Sequence, residues 1–370
     1  MSRRQKRYLR RKEKREKAKE KFKNIDFENV ASLESLYKAS YSSAKGIKWK
    51  ASVQKYLLNL LFNISKTRKD LLKQKDVRLG FIEFDICERG KTRHIRSVHF
   101  AERVVQKSLC TNVLYPVLTH NLIEDNGASQ KGKGTHFATQ RLIKSLIKYY
   151  NHYGNDGYIL TIDYKSYFDN INHEKLKEIY SLNFSDEKIL KLANDFVDAF
   201  GDKGLGLGSE TSQISAVSYV NSIDHFIKEN LSIKAYGRYM DDSYIICHSK
   251  NALQTILNVL KSKCEQFGIK INKKKTNIKK LQNGFTFLKT RFFLTDSGKI
   301  LRKPCRDSIT RERKRLKSQA GLFEKGILNS ETINGSFQSW LGSMKYRTAR
   351  KTVYFMKCLY NKLFMKGVEQ

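Results

Sequence analysis

YGRYMDDSYII, residues 236 to 246, sets two adjacent aspartates inside an apolar, aromatic run. Carboxylates tolerate burial only when they are paired, hydrogen-bonded or bound to a metal. Asp241 and Asp242 therefore demand partners. A hairpin tip with two exposed turn aspartates is the plain alternative, and the apolar flanks on both sides weigh against it. A third carboxylate, Asp163, follows the apolar run YILTI and so falls at the end of a strand. Three carboxylates on neighbouring strand ends can hold two divalent cations about 4 Å apart, as in-line phosphoryl transfer requires. Hard oxygen ligands suit two magnesium ions (Mg2+), with manganese (Mn2+) as the alternative.

Charge points to the partner. Lys and Arg total 72 against 36 Asp and Glu, a formal net charge of +36 over 370 residues. Solubility needs far less, so a polyanion is expected. The basic runs lack a facing stripe of large apolar residues, which favours nucleic acid over an anionic membrane. With 40% hydrophobic and 11% aromatic residues the chain is globular. Cysteines 87, 110, 247, 264, 305 and 358 show no CxxC spacing, so neither a zinc site nor a disulfide framework is expected. A reducing cytoplasm fits them, and no membrane span or secretory segment is expected.

Residues 1 to 24 are nearly all charged and mostly basic, and read as a nucleic-acid-binding arm rather than a solubility tail. Helix-period apolar residues recur from 28 to 75, followed by a strand pair around ERGKT. The Gly-rich basic loop EDNGASQKGKGTHFA opens the helix TQRLIKSLIKYY. It is not a Walker loop, because GxxxxGK followed by Ser or Thr is absent. After the strand GYILTIDY come helices, the turn GDKGLGLGS, another helix, the Asp241 hairpin, a helix over 251–266, and strands at IKINKKKTNI and GFTFLKTRFFL. Basic amphipathic helices close the chain from about 306. This order predicts an α+β sheet with helices packed on one face.

The motifs together resemble a reverse transcriptase. YMDD resembles that family's diagnostic signature, and LTIDYKSYFDNINHEKL its first catalytic motif. GLGLGSETSQISAVSYVNSIDHFI resembles the segment that lines nucleotide and template. GKTRHIRSVHFAERVVQKSL resembles the fingers motif, and INKKKTNIKKLQNGFTFLKTRFFL the closing palm motifs. The resemblance covers roughly residues 80 to 300. It implies an α+β right-hand polymerase: a basic arm over 1–27, fingers over 28–155, a palm with antiparallel sheet over 156–298 with finger elements interleaved, and a helical thumb over 299–370.

It also implies roles. Asp163, Tyr164, Asp241 and Asp242 form the metal-binding set, with the three aspartates catalytic. Lys91 and Arg93 meet the triphosphate, a task a guanidinium suits through bidentate contacts. Phe168 stands where the family places an aromatic gate against the 2′-hydroxyl, and Asp169 then caps the next helix. Lys275 matches a lysine near the phosphates, Lys131 and Lys133 are template contacts, and Tyr239 and Met240 touch nucleic acid. Gly284 to Leu288 resembles the hairpin that steadies the primer end. The middle motif departs from the common QGxxxSP form: LGSETSQ has Leu207 before Gly208 and Gln213 in place of Pro. That variant resembles bacterial enzymes of diversity-generating retroelements, which copy a template RNA with errors at adenines. The resemblance implies template RNA, primer and cDNA, deoxynucleoside triphosphates and a basic accessory protein as partners. A phage-defence reverse transcriptase is the alternative, a non-catalytic RNA-binding palm protein a further one, and an RNA-dependent RNA polymerase is disfavoured by Phe168.

Overall fold

The computed structural model describes residues 25–88 and 90–365, with Glu13 and Phe22 as isolated positions. The basic arm expected over 1–27 lies almost wholly outside the described residues. Helices α1 (Glu28–Ala31), α2 (Leu33–Ala44), α3 (Ala51–Leu58) and α4 (Leu60–Leu72) lead to a hairpin of β1 (Phe81–Glu88) and β2 (Lys91–Val98). Helix α5 (Phe100–Leu109) runs through a π-helical turn, Cys110–Leu114, into α6 (Tyr115–His120). After the Gly-rich loop comes α7 (Thr135–Tyr153), then β3 (Tyr158–Asp163).

Four helices follow: α8 (His173–Ser181), α9 (Glu187–Asp198), α10 (Glu210–Tyr219) and α11 (Asn221–His225). Their starts are written locally. Asp186 accepts the amides of Lys188 and Ile189 ahead of α9, and Ser209 accepts that of Ser212 ahead of α10. Asn172, not Asp169, caps α8, accepting from Lys175 N. A 3₁₀ turn over Phe168–Asn170 separates Asp169 from the helix start. Ile189, Leu192, Ala193, Phe196 and Val197 make the buried stripe of α9 at helical spacing.

Strands β4 (Tyr236–Tyr239) and β5 (Asp242–Cys247) form the hairpin, α12 (Lys250–Glu265) follows, and β6 (Asn277–Lys280) completes an antiparallel sheet in the order β4-β5-β3-β6. The expected strand IKINKKKTNI is shorter than anticipated, because residues 273–275 form a turn before β6. Strands β7 (Phe285–Phe287), β8 (Thr290–Leu294) and β9 (Ile300–Pro304) make a second sheet. Helices α13 (Arg306–Glu324), α14 (Ser330–Met344) and α15 (Arg350–Phe364) pack on Leu316, Phe337, Trp340 and Met356. They join the second sheet where Thr348 N donates to Arg302 O at 2.6 Å.

Helices on one face only is not what the main sheet shows. Leu160, Ile162 and Ile245 enter one core with α8 to α12, while Ile159, Tyr244 and Ile246 enter another with α7 and the second sheet. Alternate residues of a strand point to opposite faces, so both faces are covered. The near-continuous apolar run YILTI is the signature of that double burial.

Candidate active site

Tyr239 pairs with Asp242 across β4 and β5, which leaves Met240 and Asp241 as the two-residue turn. Met240 has a left-handed φ of +57°. A non-glycine residue there costs roughly 1 to 3 kcal/mol, so its surroundings must hold it. Arg238 does so from beneath. Its Nη1 donates to Met240 O at 3.0 Å, its Nη2 to Val217 O at 2.8 Å, and Nη2 also meets Asp224 Oδ2 at 2.6 Å. Tyr236 Oη donates to the other oxygen of Asp224 at 2.5 Å. Burial alone would lower the Arg238 pKa, but the charge of Asp224 outweighs it and drives it up.

Asp163 stands directly opposite Asp242 in the β3–β5 register, where paired Cα atoms are about 4.5 to 5.5 Å apart. Tyr164 N donates to Asp241 O at 3.3 Å, which draws the turn to the end of β3. The Tyr164 phenol is buried and its pKa raised by that burial, so its side chain is no cation ligand. Burial, then the charges of Asp241 and Asp163, push the Asp242 carboxyl up to about 7. Burial raises Asp241 too, with the charge of Asp163 adding to it.

Both oxygens of Asp163 are engaged. Oδ2 accepts from Lys275 Nζ at 2.6 Å and Oδ1 from Asn272 Nδ2 at 2.8 Å. The bond to Asp163 raises the Lys275 pKa. The ammonium is thus the counter-charge of this cluster. A hard carboxylate donor set with two raised pKa values fits a divalent cation in charge and donor type. It is not a finished cage: among the described residues no three acidic, His or Cys groups converge ready to ligate a metal. Asp163 would have to turn from Lys275.

Ring contacts lead from Tyr164, beside the cluster, through Tyr167 to Phe168, with centroids 5.4 and 5.9 Å apart. Phe168 is half-buried, and its carbonyl accepts from Leu205 N at 2.9 Å, which ties it to the loop carrying Leu207 and Gly208. Gly204 anchors that loop with φ +83°, where a Cβ would lie 3.0 Å from Asp169 O. Only glycine fits both demands. Leu207 is half-buried, while Gly208 and Gln213 are exposed, the latter on α10. Lys91 begins β2, and Arg93 and Ile95, two residues apart on it, share one face. Ile95 Cγ2 lies 4.0 Å from the Cβ position of Gly208, so that face meets the loop. Arg93 is exposed on it.

The Gly-rich loop divides its two lysines. Lys131 is exposed, with its ammonium over the Tyr115 ring at 5.3 Å. Lys133 is turned inward and donates to Glu124 O at 3.1 Å and Asn126 O at 3.2 Å, so its charge serves its own loop. Tyr239 and Met240 are half-buried at the hairpin end.

Sequence reading missed three supports. Arg238 and Asp224 each sit in an apolar run, which is the same signal that singled out Asp241. Asn272 also donates its main-chain N–H to Asp163 O at 2.8 Å. A buried chain runs from Leu79 N through Glu102 and Gln106 to Ser209, the cap of α10. Nothing in the local sequence marks the last two.

Strand-end carboxylates paired across an antiparallel sheet, with a lysine as their counter-charge, are the arrangement of a polymerase palm. The profile of the reverse transcriptase (RNA-dependent DNA polymerase) family matches residues 73–292, more than half of the chain, and the chain belongs to that family. No curated protein matches it. Among solved structures it is similar to telomerase from Candida albicans in complex with a TWJ fragment of telomeric RNA, at 14% identity and TM-score 0.48, covering 83% of this chain and 65% of that one. It is also similar to apo telomerase from Candida tropicalis, at 14% identity and TM-score 0.47, covering 78% and 60%. A C-terminally truncated form of the latter gives 15% identity and TM-score 0.47, covering 60% and 55%. The chain spans less than two thirds of each of these telomerases.

Proposed function

We propose that this chain is an RNA-directed DNA polymerase that extends a primer 3′-hydroxyl on an RNA template. The observation that carries the reading is the register pairing of Asp163 with Asp242, with Asp241 in the adjoining turn. In this reading 28–155 are fingers, 156–298 palm and 299–370 thumb. Asp163, Asp241, Asp242 and the main-chain oxygen of Tyr164 would hold divalent cations, magnesium by donor type. When bound, the cations supply the charge that acidifies the 3′-hydroxyl and stabilises departing pyrophosphate.

The chain's own residues do the rest. Lys91 and Arg93 hold the triphosphate from the β2 face. Phe168 excludes the 2′-hydroxyl, and Lys275 moves from Asp163 toward phosphate once the carboxylate takes a cation. Lys131, Tyr239 and Met240 contact template and primer. Leu207 and Gln213 support a finer reading: a diversity-generating retroelement enzyme, working with a basic accessory protein and with low fidelity at template adenines. An aliphatic wall at Leu207 cannot hydrogen-bond around the incoming nucleotide, so base-pair geometry is checked less strictly.

Primed RNA with magnesium and deoxynucleotides tests the core of this reading. Asp163→Asn or Asp241→Asn should abolish synthesis and leave RNA binding intact. Near-normal extension by either variant would remove the carboxylates from catalysis.

A further inference from the structure

A groove of about 890 Å³ opens between α7, residues 232–235 and the far end of β5. Asp242 begins β5 and Cys247 ends it. Its lining on β5 starts at Ile245, about 10 Å along the strand from Asp242, so this groove and the catalytic carboxylates are separate sites.

Its wall is cationic. Lys144, Lys148 and His152 recur every fourth residue of α7 and therefore form one ridge along the groove. Lys234 lines the opposing segment. At one end Tyr153 stacks on His248, with ring centroids 5.8 Å apart and planes at 27°. Tyr153 is 58% exposed, and its ring also lies against Tyr149 with centroids 5.2 Å apart and planes at 34°, so a ligand would meet the part of the ring outside these two contacts. Asp125 is the acid among the lining residues, and it is already neutralised by Arg141 at 2.5 Å and Lys228 at 2.8 Å. Lys144, Lys148 and Lys234 have no ion pair among the described residues. The floor, with Ile245, Ile246 and Ile256, is apolar.

Unneutralised ammonium groups in a row beside an exposed aromatic ring are the pattern that binds a single strand, phosphates on the cations and a base on the ring. We propose that this groove is a second RNA site, which holds single-stranded RNA outside the segment being copied. The inference rests on the RNA-template reading above. A template must slide through the catalytic cleft as it is copied, so a distal hold keeps the same RNA on the enzyme. An acidic protein segment is the competing occupant, and it would use the lysines without the stack.

The test compares the full chain with Lys144→Glu/Lys148→Glu and with Tyr153→Ala. One substrate is a short primed RNA without overhang; the other adds about forty nucleotides of single-stranded RNA. Short-template extension should match wild type in both variants. The lysine variant should bind the long RNA at least tenfold more weakly, with the log–log salt slope reduced by about 1.4, or 0.7 per lost phosphate contact. Tyr153→Ala should weaken it roughly tenfold with the slope unchanged. Unchanged affinity and slope in the lysine variant would overturn the site. So would a parallel loss on the short template, or a lysine effect that Tyr153→Ala does not share. If the wild type extends no primer yet shows the lysine- and tyrosine-dependent binding, the polymerase reading falls and the groove stands.

Discussion

Asp242→Asn should stabilise the metal-free protein, and the gain should grow with pH. Burial and the charges of Asp241 and Asp163 raise the Asp242 carboxyl from 3.8 to about 7. Between those values the folded protein keeps a proton that the unfolded chain has released. Stability therefore falls as pH climbs from 3.8 to about 7, and the cost is level above it. The full shift corresponds to roughly 4 kcal/mol. The part of it that falls between pH 5 and pH 8 is about 2.7 kcal/mol, which partial solvent screening brings to roughly 1 to 2 kcal/mol. Asparagine keeps the shape and carries no charge, so it should escape this penalty. At roughly 2 °C per kcal/mol, the variant's melting midpoint in EDTA should gain about 2 to 4 °C on wild type between pH 5 and pH 8. Magnesium should reverse the order at pH 8, raising the wild-type midpoint and scarcely moving that of the variant. Parallel pH profiles in EDTA would refute the repulsion argument. An equal magnesium response in both proteins would remove Asp242 from the cation-binding set.

Arg238→Ala should cost about 3 to 5 kcal/mol in denaturant unfolding, because it leaves Asp224 charged and buried without its partner. Replacing both, Arg238→Met with Asp224→Leu, should recover most of that stability yet still lower kcat, since the Met240 carbonyl loses its donor. Phe168→Ala should reduce the ratio of deoxy- to ribonucleotide incorporation efficiencies, and an unchanged ratio in a folded variant would return Phe168 to packing alone. Leu207→Gln should lower misincorporation opposite template adenine up to tenfold, or about 1.4 kcal/mol, more than opposite other bases. Deep sequencing of cDNA from a defined RNA reads this out, and uniformly low error in the wild type would favour a defence role over a mutagenic one.

The hairpin was legible because two aspartates in an apolar run violate the burial rule, and such violations are resolved only by partners. The same rule applied to Arg238, which interrupts AYGRYM, and to Asp224 in NSIDHFI. Each was readable as a buried charge, but their pairing was not, since 14 residues and a change of element separate them. Helix starts were legible where a short polar side chain precedes an apolar stripe, as with Asp186. Asp169 misled because the 3₁₀ turn that displaces it is fixed by Leu205 N and Gly204, more than thirty residues on. Coverage of both sheet faces followed the same logic, since the run YILTI shows that a strand is buried and not what buries it.

Lys275 marks the limit most sharply. NKKKT offers three adjacent lysines with nothing local to rank them. The choice is made by tertiary contacts: Asn272 N donates to Asp163 O at 2.8 Å, and Asp163 N donates to Thr276 Oγ1 at 3.3 Å. These bonds clamp both ends of the 273–275 turn against the end of β3, and the clamp exists only once β6 has paired with β3. Within it, the third lysine is the one whose ammonium reaches the carboxylate. The charge next to the catalytic aspartate is therefore selected by strand pairing rather than by composition. A slip of β6 by one residue along β3 would turn its side chains to opposite faces and put a different side chain beside Asp163.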